Sequence, residues 1–521
     1  MLKKILLGLL ILSILASSIA CGSGGETEAT DDTASETTTA QPEADYLEQY
    51  AGTDLEGATY TFAVYSTEQY PNYAGDELNG ETVNDVQYNR DVFVEGTYNV
   101  NLEYITHVDG SIVSTIRSQV QAGDTEIDCI MSQMSGMLST LSTEGMLMNL
   151  YNVDGLDLDG DWWSQSMNRE FTIQNKLFTT TGAIAFSYYY SPRMVAYNQR
   201  LADEYGLGSL YEVVESGKWT LDYMYDTMKS VKADLNGDGE YGEDDMWGAS
   251  VDEYSAAGFY ISAGGTQLEY DESGNPSFAF EKEINYDIIE KVASIIGNKD
   301  VTQKAEELAK RSGTYDITDK VYTFKNGHAL YLGYGAQAIA FYLRDMNDDY
   351  GILPVPKYDE AQDGYITFGN SYVPAHVALP MNNNRGEANG ILLNTLGYIS
   401  QRDVQPNIVD VLLKGKAARD EESQRMIDII YEDITLDLNS CYNFGQSFTL
   451  LRDITMGKKE NFASEWAKIK SSAETEMRSC MSSSPKSNKI ARSAALPTKY
   501  KIRLSTCIKT SGVICRKSCL F

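Results

Sequence analysis

The feature that most constrains this fold is the alternation of predicted strands and helices along residues 60–145. The predicted strands are residues 60–65, 99–105 and 127–131, and the predicted helices are residues 81–95, 110–122 and 136–145. Such alternation predicts a parallel sheet with helices on its faces. Because ligands bind outside the carboxyl ends of the strands in such sheets, we expect a site near Tyr65 and Gln133.

A second α/β region, richer in helix, is predicted further along the chain. Its predicted strands are residues 176–183 and 194–198, and its predicted helices are residues 220–233, 286–297 and 302–311. The folded part exceeds 400 residues, which is more than one hydrophobic core usually organises. We therefore expect an α/β protein with two lobes.

Residues 1–20 have the features of a secretory signal peptide: two lysines, a short apolar run and small residues before the cleavage point. The run is shorter than the roughly 20 apolar residues of a membrane-spanning helix, so we predict cleavage. Cys21, directly after Ala20, resembles the modified cysteine of the bacterial lipobox, although Ser18 stands where that pattern usually has Leu. We predict a lipid on Cys21, and ordinary secretion is the alternative.

The segment that follows the signal peptide, residues 21–44, consists mainly of Gly, Ser, Thr, Ala and acidic residues. It cannot bury enough apolar surface to fold, so we predict a flexible acidic tether. The whole chain carries a formal charge of -33, which argues against nucleic acid and anionic membrane surfaces as partners. Contact with the membrane is therefore expected through the lipid anchor only.

The cysteines do not predict a disulfide framework. Between Cys21 and residue 480 the chain contains only Cys129 and Cys441. Two distant cysteines in an exported body do not form such a framework, and Cys129 is expected to be buried as a small apolar side chain.

The last 45 residues, 477–521, differ in character from everything before them. They contain no acidic residue, many Lys and Arg residues and four of the seven cysteines. We predict an unstructured tail produced by a shift of reading frame or a misassembled gene end. The alternative is a native basic segment that contacts anionic lipid or a membrane partner.

Eight local patterns occur in order between residues 58 and 476. They are residues 123–128 (GDTEID), 143–150 (TEGMLMNL), 162–163 (WW), 176–178 (KLF), 194–198 (MVAYN), 217–220 (GKWT), 324–329 (FKNGHA) and 351–357 (GILPVPK). In this order the chain resembles the extracellular solute-binding proteins of ABC importers, in particular the group-1 type that carries sugars and oligosaccharides.

This resemblance implies a periplasmic-binding-protein-like fold of type II, with a ligand cleft between two hinged lobes that close around the ligand. Lobe 1 would comprise residues 45–183 plus 360–408, and lobe 2 residues 184–359 plus 409–476. The implied function is capture of a carbohydrate and its delivery to the permease subunits of an ABC transporter. We expect a monomer, anchored to the outer face of the cell membrane of a Gram-positive bacterium.

Sugar sites need aromatic faces for C–H surfaces and planar polar groups for hydroxyls. The residues of these types near strand ends and the first lobe connection are the candidates for ligand contact. They are Tyr65, Gln133, Trp163, Tyr188, Tyr189, Tyr190, Tyr334 and Asn370. For each of them, packing in the core or exposure in a loop is the alternative.

A calcium-loop pattern lies in the second region. Asp234, Asn236, Asp238, Glu240 and Asp245 occupy loop positions 1, 3, 5, 7 and 12, with glycine at position 6. A hard cation needs six or seven converging oxygens, which this spacing can supply, Glu240 through its backbone carbonyl. Because the flanks predict helix, loop and strand, we expect a structural calcium ion rather than a sensor. A surface turn without metal is the alternative.

Enzymatic functions are less well supported by the sequence. His107, His328 and His376 have no metal-ligand spacing, and no Gly-x-Ser-x-Gly elbow is present. We therefore expect a protein that is not an enzyme and has no cofactor beyond the calcium ion. A secreted glycoside hydrolase stays open as an alternative because it needs only two suitably spaced carboxylates. A peptide-binding or sensory lipoprotein on the same scaffold is the other alternative.

Overall fold

The computed structural model describes residues 45–66, 77–432 and 434–483. Cys21, the signal peptide, the tether and the tail beyond residue 483 lie outside the described residues, so the expectations for them stay predictions. The chain divides after Gln49 into two units, and the described part of the first unit contains most of the short 3₁₀ helix Tyr46–Tyr50. No described helix is both long enough and apolar enough to cross a membrane.

The second unit contains thirteen described strands. They are β1 (Ala58–Tyr65), β2 (Val100–His107), β3 (Cys129–Gln133), β4 (Arg193–Asn198), β5 (Trp247–Val251), β6 (Leu268–Tyr270), β7 (Pro276–Phe278), β8 (Thr302–Lys304), β9 (Ala329–Gly335), β10 (Tyr350–Leu353), β11 (Thr367–Phe368), β12 (Ala375–Ala378) and β13 (Ile434–Thr435). Two sheets contain nine of these strands, and two short pairs contain the rest.

The helices pack around these sheets. The α-helices are Thr82–Tyr98, Ser111–Ala122, Ser139–Thr143, Gln165–Phe171, Gln199–Glu204, Leu210–Glu215, Leu221–Val231, Glu253–Ser262, Glu283–Ile295, Ala305–Leu308, Tyr322–Lys325, Glu387–Ile399, Glu421–Glu432, Leu438–Tyr442, Ser447–Thr455 and Phe462–Ser483. Further helical segments are Met134–Leu138, Leu150–Asn152, Phe186–Tyr190, Ile317–Val321, Ala338–Tyr342, Ser400–Val404, Asn407–Ala417 and Phe444–Gln446.

The first sheet has the strand order β12-β3-β1-β2. Strand β1 pairs in parallel with β2 and with β3, which confirms the parallel sheet predicted from the alternation. Phe62 and Val64 of β1 are completely buried between the flanking helices. Strand β12 comes from much later in the chain and pairs antiparallel to β3, with Ala375 opposite Gln133.

The second sheet has the strand order β10-β4-β9-β5-β8. Strand β5 is parallel to β9 and β8, whereas β4 is antiparallel to β9 and β10. The helix predicted over residues 302–311 is wrong at its start, because Thr302 pairs with Ala249 as an edge strand and only Ala305–Leu308 is helical. The polar sequence Thr-Gln-Lys conceals this strand, although Thr302 and Gln303 are buried.

Single bridges and short pairs join segments that are far apart in sequence. The strand predicted over residues 176–183 is wrong as a continuous element, since it forms only separate bridges. Gly182 bridges to Trp163, and Thr180 bridges to Val377. Strand β11 pairs in parallel with β13, which places Phe368 opposite Thr435. Some of these contacts bring together chain segments that line a cavity.

Candidate functional site

A cavity of 770 Å³ lies among four parts of the chain. They are the loop at residues 161–164, the segment at residues 182–189, the helical stretch at residues 401–414 and the end of helix Glu421–Glu432 with the start of β13. This volume is within the range of about 300–1,000 Å³ that is usual for small-molecule sites. The cavity is therefore the candidate ligand site.

The loop at residues 161–164 is held against the segment at residues 181–183 by backbone hydrogen bonds. The amide of Ser164 donates to the carbonyl of Thr181 at 2.8 Å, and the amide of Ala183 donates to the carbonyl of Trp162 at 2.9 Å. Gly182 allows this approach, because a Cβ there would lie 2.1 Å from the Trp162 carbonyl oxygen. The wall that contains both tryptophans is thus fixed by the backbone.

Five aromatic side chains line the cavity: Trp162, Trp163, Tyr188, Tyr189 and Tyr431. The tryptophans and Tyr189 are at most 5% exposed, so Tyr188 and Tyr431 supply most of the accessible aromatic surface. The rings of Tyr189 and Tyr431 are nearly parallel, with centroids 6.5 Å apart. Burial raises the pKa of Tyr189 and of Tyr431, so both stay neutral hydroxyl groups at physiological pH.

Polar groups from the helical walls complete the lining. They are Gln401, Gln405, Asp410, Lys414, Asp428 and Glu432, together with Asp161 and Ser164 from the loop at residues 161–164. Aromatic surface beside carboxylate, amide and hydroxyl groups is the combination expected for a polyhydroxylated solute, whose hydroxyls donate to carboxylates and whose C–H faces pack on rings. The lining of the cavity therefore suits such a solute.

Three of the eight predicted ligand residues line this cavity, namely Trp163, Tyr188 and Tyr189. Tyr190 follows them but packs between Phe186 and Phe341, with ring centroids 5.6 Å and 4.9 Å away. The remaining four, Tyr65, Gln133, Tyr334 and Asn370, are not part of the lining. Ligand contact stays a prediction for all eight residues.

Tyr65 and Gln133 do lie at the carboxyl ends of parallel strands, as expected. Tyr65 ends β1 and is partly buried, which raises its pKa, as does the nearby charge of Asp109. Gln133 ends β3, and its side-chain amide donates to the backbone carbonyl of Tyr372. These two residues therefore belong to a polar edge of the first sheet rather than to the cavity wall.

Tyr334 and Asn370 are also held in polar contacts outside the cavity. The guanidinium of Arg193 lies over the Tyr334 ring, 5.6 Å from its centroid. The Asn370 side-chain oxygen accepts from the amide of Tyr372 at 3.1 Å, and the Asn370 amide donates to the Ser191 carbonyl. Asn370 thus stabilises the connection between β11 and β12.

The residues that sequence reasoning missed lie mainly on the helical stretch at 401–414 and on helix Glu421–Glu432. Gln401, Lys414 and Asp428 have no nearby motif that distinguishes them from solvated surface residues. Trp162 could have been found, because it is adjacent to Trp163, the only one of the two tryptophans that is predicted. The other missed residues can be recognised as part of the cavity only from the tertiary structure.

The predicted calcium loop forms a network of hydrogen bonds within itself. Asp234 accepts from the amides of Gly237 and Gly239, and Asp245 accepts from those of Leu235 and Gly242. Asn236 and Asp238 each accept one further loop amide. Within the described ranges, no three His, Cys, Asp or Glu residues are grouped so that they could hold a metal ion. Calcium binding stays a prediction.

A model of the family described as bacterial extracellular solute-binding protein matches residues 86–381, which is more than half of the chain. This chain belongs to that family. The resemblance to solute-binding proteins, inferred from eight short patterns, is thereby confirmed. The matched range includes Trp162 and Trp163 of the loop and Tyr188 and Tyr189 of the segment at residues 182–189. It ends before the helical part of the cavity lining at residues 401–432.

Two solved structures share the fold of this solute-binding protein. One is an ABC substrate-binding protein from Listeria monocytogenes in complex with cycloalternan, with a TM-score of 0.50 and 11% identity over 82% of this chain and 98% of that one. The other is a sugar transporter from Rhizobium etli in an open conformation, with a TM-score of 0.51 and 14% identity over 81% and 99%. No curated protein sequence matches significantly. The predicted fold class is confirmed.

Proposed function

We propose that this solute-binding protein captures a carbohydrate and delivers it to the permease subunits of an ABC transporter. The observation that carries the proposal is the 770 Å³ cavity, which combines five aromatic side chains with carboxylate and amide groups in a solute-binding fold. Two of the solved structures that share the fold are a substrate-binding protein in complex with cycloalternan and a sugar transporter, which supports the same class of ligand.

Tyr188 and Tyr431 supply the accessible rings in this proposal. A sugar ring packs its C–H face on such a ring while its hydroxyls bond to Gln401, Gln405 and the carboxylates. Trp163 is buried in the cavity wall: its indole N–H donates to the Asp157 carbonyl at 2.9 Å, and its side chain is only 2% exposed. Trp163 therefore shapes the wall more than it touches the solute.

A thermal-shift screen of mono- and oligosaccharides with the purified protein tests the proposal. A bound sugar at one hundred times its Kd stabilises the folded state by about 2.7 kcal/mol. For the best sugar, Tyr188→Ala should weaken binding at least tenfold, whereas Tyr315→Ala should not change it, because Tyr315 is 62% exposed and lies outside the cavity. If no sugar raises the melting temperature, the proposal is wrong.

The same experiment separates the alternatives. Under our proposal the sugar is recovered intact after incubation, whereas a glycoside hydrolase would release shorter products visible by chromatography. Stabilisation by peptides but not by sugars would instead favour a peptide-binding or sensory lipoprotein.

We further propose that Cys21 carries the lipid that keeps the binder near its permease, on the outer face of a Gram-positive cell membrane. A lipid anchor is sufficient because two or three acyl chains, at about 0.8 kcal/mol per buried CH₂, hold a soluble domain firmly. Growth with labelled palmitate tests this point: wild type should become labelled and Cys21→Ala should not. Label in both would exclude Cys21 as the anchor. A monomer stays our expectation for the exported form.

A further inference from the structure

The charge of the cavity lining is strongly unbalanced. Its charged residues are Asp161, Asp410, Asp428 and Glu432, which are acidic, and Lys414, which is basic. The lining of the space that a ligand would occupy thus carries four carboxylates and one ammonium group. Several carboxylates around one cavity create a negative potential there, which disfavours acidic solutes and favours cationic ones.

The single ammonium group of the lining is already engaged. Lys414 Nζ lies 3.1 Å from Asp410 Oδ1, one helical turn earlier, and 2.5 Å from Asp428 Oδ1 on the neighbouring helix. Burial by itself would lower the pKa of Lys414, but its hydrogen bonds to Asp428 and Asp410 raise the pKa above its ordinary value. Lys414 therefore stays charged at neutral pH and neutralises carboxylates of the protein.

The two remaining carboxylates have no such partner. Asp161, in the loop at residues 161–164, and Glu432, at the end of helix Glu421–Glu432, are both exposed, and neither forms an ion pair with another described residue. An acidic ligand would meet these two charges without a free cation in the lining to compensate them. A protonated amine on the ligand would instead find carboxylate acceptors for charge-assisted hydrogen bonds.

We propose that the cavity selects neutral or amine-bearing saccharides and rejects acidic ones such as uronic acids. This inference rests on the proposed function, namely that the cavity holds a carbohydrate. Neutral sugars bind through hydroxyl donors to the carboxylates and amides, and an amine strengthens binding. A ligand carboxylate must either face Asp161 and Glu432 or break the contacts of Lys414 with Asp410 and Asp428.

Calorimetry with sugars matched in all but charge tests the proposal. Each series contains a neutral sugar, its amino sugar and its uronic acid. The monosaccharide series are glucose, glucosamine and glucuronic acid, and their galactose counterparts. The oligosaccharide series are β-1,4-linked and α-1,4-linked tetramers in neutral, glucosamine and uronic acid form. In every series that binds, the uronic acid should bind at least tenfold more weakly than the neutral sugar. Equal affinity for acidic and neutral members overturns this inference alone. Binding of no member, together with no stabilisation by any sugar in the thermal-shift screen, overturns the proposed function as well.

A pair of charge-matched variants tests the cause of the discrimination. Asp161→Asn with Glu432→Gln should reduce the neutral-to-acidic affinity ratio at least threefold. The control, Asp287→Asn with Glu307→Gln, removes the same net charge from exposed positions outside the lining and should leave the ratio unchanged. Raising the salt concentration from 0.1 M to 1 M shortens the screening length from about 10 Å to 3 Å and should also reduce the ratio. A ratio that neither change affects contradicts the electrostatic origin.

Discussion

A Cβ atom at Gly182 would lie 2.1 Å from the carbonyl oxygen of Trp162 and 2.9 Å from the Cα of Trp163. These neighbours are backbone atoms, which cannot turn aside as a flexible side chain can. The carbonyl also accepts the hydrogen bond from Ala183 that holds the tryptophan loop in place. The position of the cavity wall thus depends on the absence of a side chain at residue 182.

We predict that Gly182→Ala displaces this loop and weakens both folding and sugar binding. Overpacking of this kind costs about 1–3 kcal/mol in the free energy of unfolding, measured by urea denaturation. The control is Gly364→Ala, because a Cβ at Gly364 meets no atom within 4 Å. Equal stability and equal affinity of Gly182→Ala and wild type would contradict the importance of this approach.

How much of this region the sequence could predict depends on whether the interacting residues are close together in the sequence. The parallel pairing of β1 with β2 and β3 follows from local alternation, and its prediction is confirmed. Trp163 and Tyr188 do line the cavity, and aromatic residues near the predicted lobe connection are a local signal. The prediction does not include the helical side of the cavity, residues 401–414 and helix Glu421–Glu432. Lys414 and Asp428 come into contact only when these two helical segments pack together.

Errors in the predicted elements have the same origin. Residues 302–304 form an edge strand only because β5 presents backbone groups to pair with, and their own sequence is too polar to show it. Residues 179–183 are β-rich in composition, yet their partners, Trp163 and Val377, belong to different segments that each supply one bridge. Neither outcome can be read from local periodicity.

The ion pair between Asp128 and Arg385 leads to a second prediction. Arg385 Nε donates to Asp128 Oδ1 at 2.5 Å, and Nη2 donates to Oδ2 at 3.0 Å. Asp128 is only 1% exposed and also accepts the amide of Thr61, whereas the Arg385 side chain is 31% exposed. This bidentate pair connects the residue before β3 to the segment that leads into helix Glu387–Ile399.

We expect Arg385→Ala to lower the free energy of unfolding by about 2–3 kcal/mol, because it leaves a buried carboxylate without its counter-charge. The value is below that of a fully buried pair because solvent reaches the guanidinium. As a control, Arg425→Ala removes an exposed pair with Glu215, whose side chains are 52% and 47% exposed, and should cost about 1 kcal/mol or less. Chemical denaturation of the two variants side by side gives the answer, and similar losses would contradict it.

The acidic loop at residues 234–245 leads to a third prediction, which concerns calcium. Both carboxylate oxygens of Asp234 and of Asp245 accept a loop amide, but a carboxylate has about four lone-pair sites, so acceptor capacity remains for a cation. We predict calcium binding in the range of about 10⁻⁴ to 10⁻³ M that is usual for extracellular modules. Titration calorimetry should detect it in wild type.

The double variant Asp234→Ala, Asp238→Ala should lose at least tenfold in calcium affinity. Asp271→Ala is the matched control, because Asp271 also accepts the amides of its own turn, from Ser273 and Asn275, but lies outside the loop pattern. Unchanged affinity in the double variant would show that the loop is a surface turn and that any calcium binds elsewhere.

His376 leads to a prediction about pH. It lies in strand β12, is 1% exposed, and packs against the ring of Phe171 with centroids 5.3 Å apart. Neither ring nitrogen has a hydrogen-bond partner among the described residues. Burial lowers the pKa of His376 from 6.5 to about 3, since a charged imidazolium would lose its hydration there.

The sign of the effect follows from proton binding. Below pH 6.5 the unfolded chain binds a proton at this histidine, whereas the folded chain does not until pH is near 3, so the folded state loses stability as pH falls. This group alone should lower the free energy of unfolding by about 2 kcal/mol between pH 7 and pH 5. In His376→Leu, which cannot titrate, that part of the loss should disappear. His107→Leu, at a partly exposed position, should change the pH dependence less. Identical pH profiles for wild type and His376→Leu, measured by urea denaturation, would contradict the prediction.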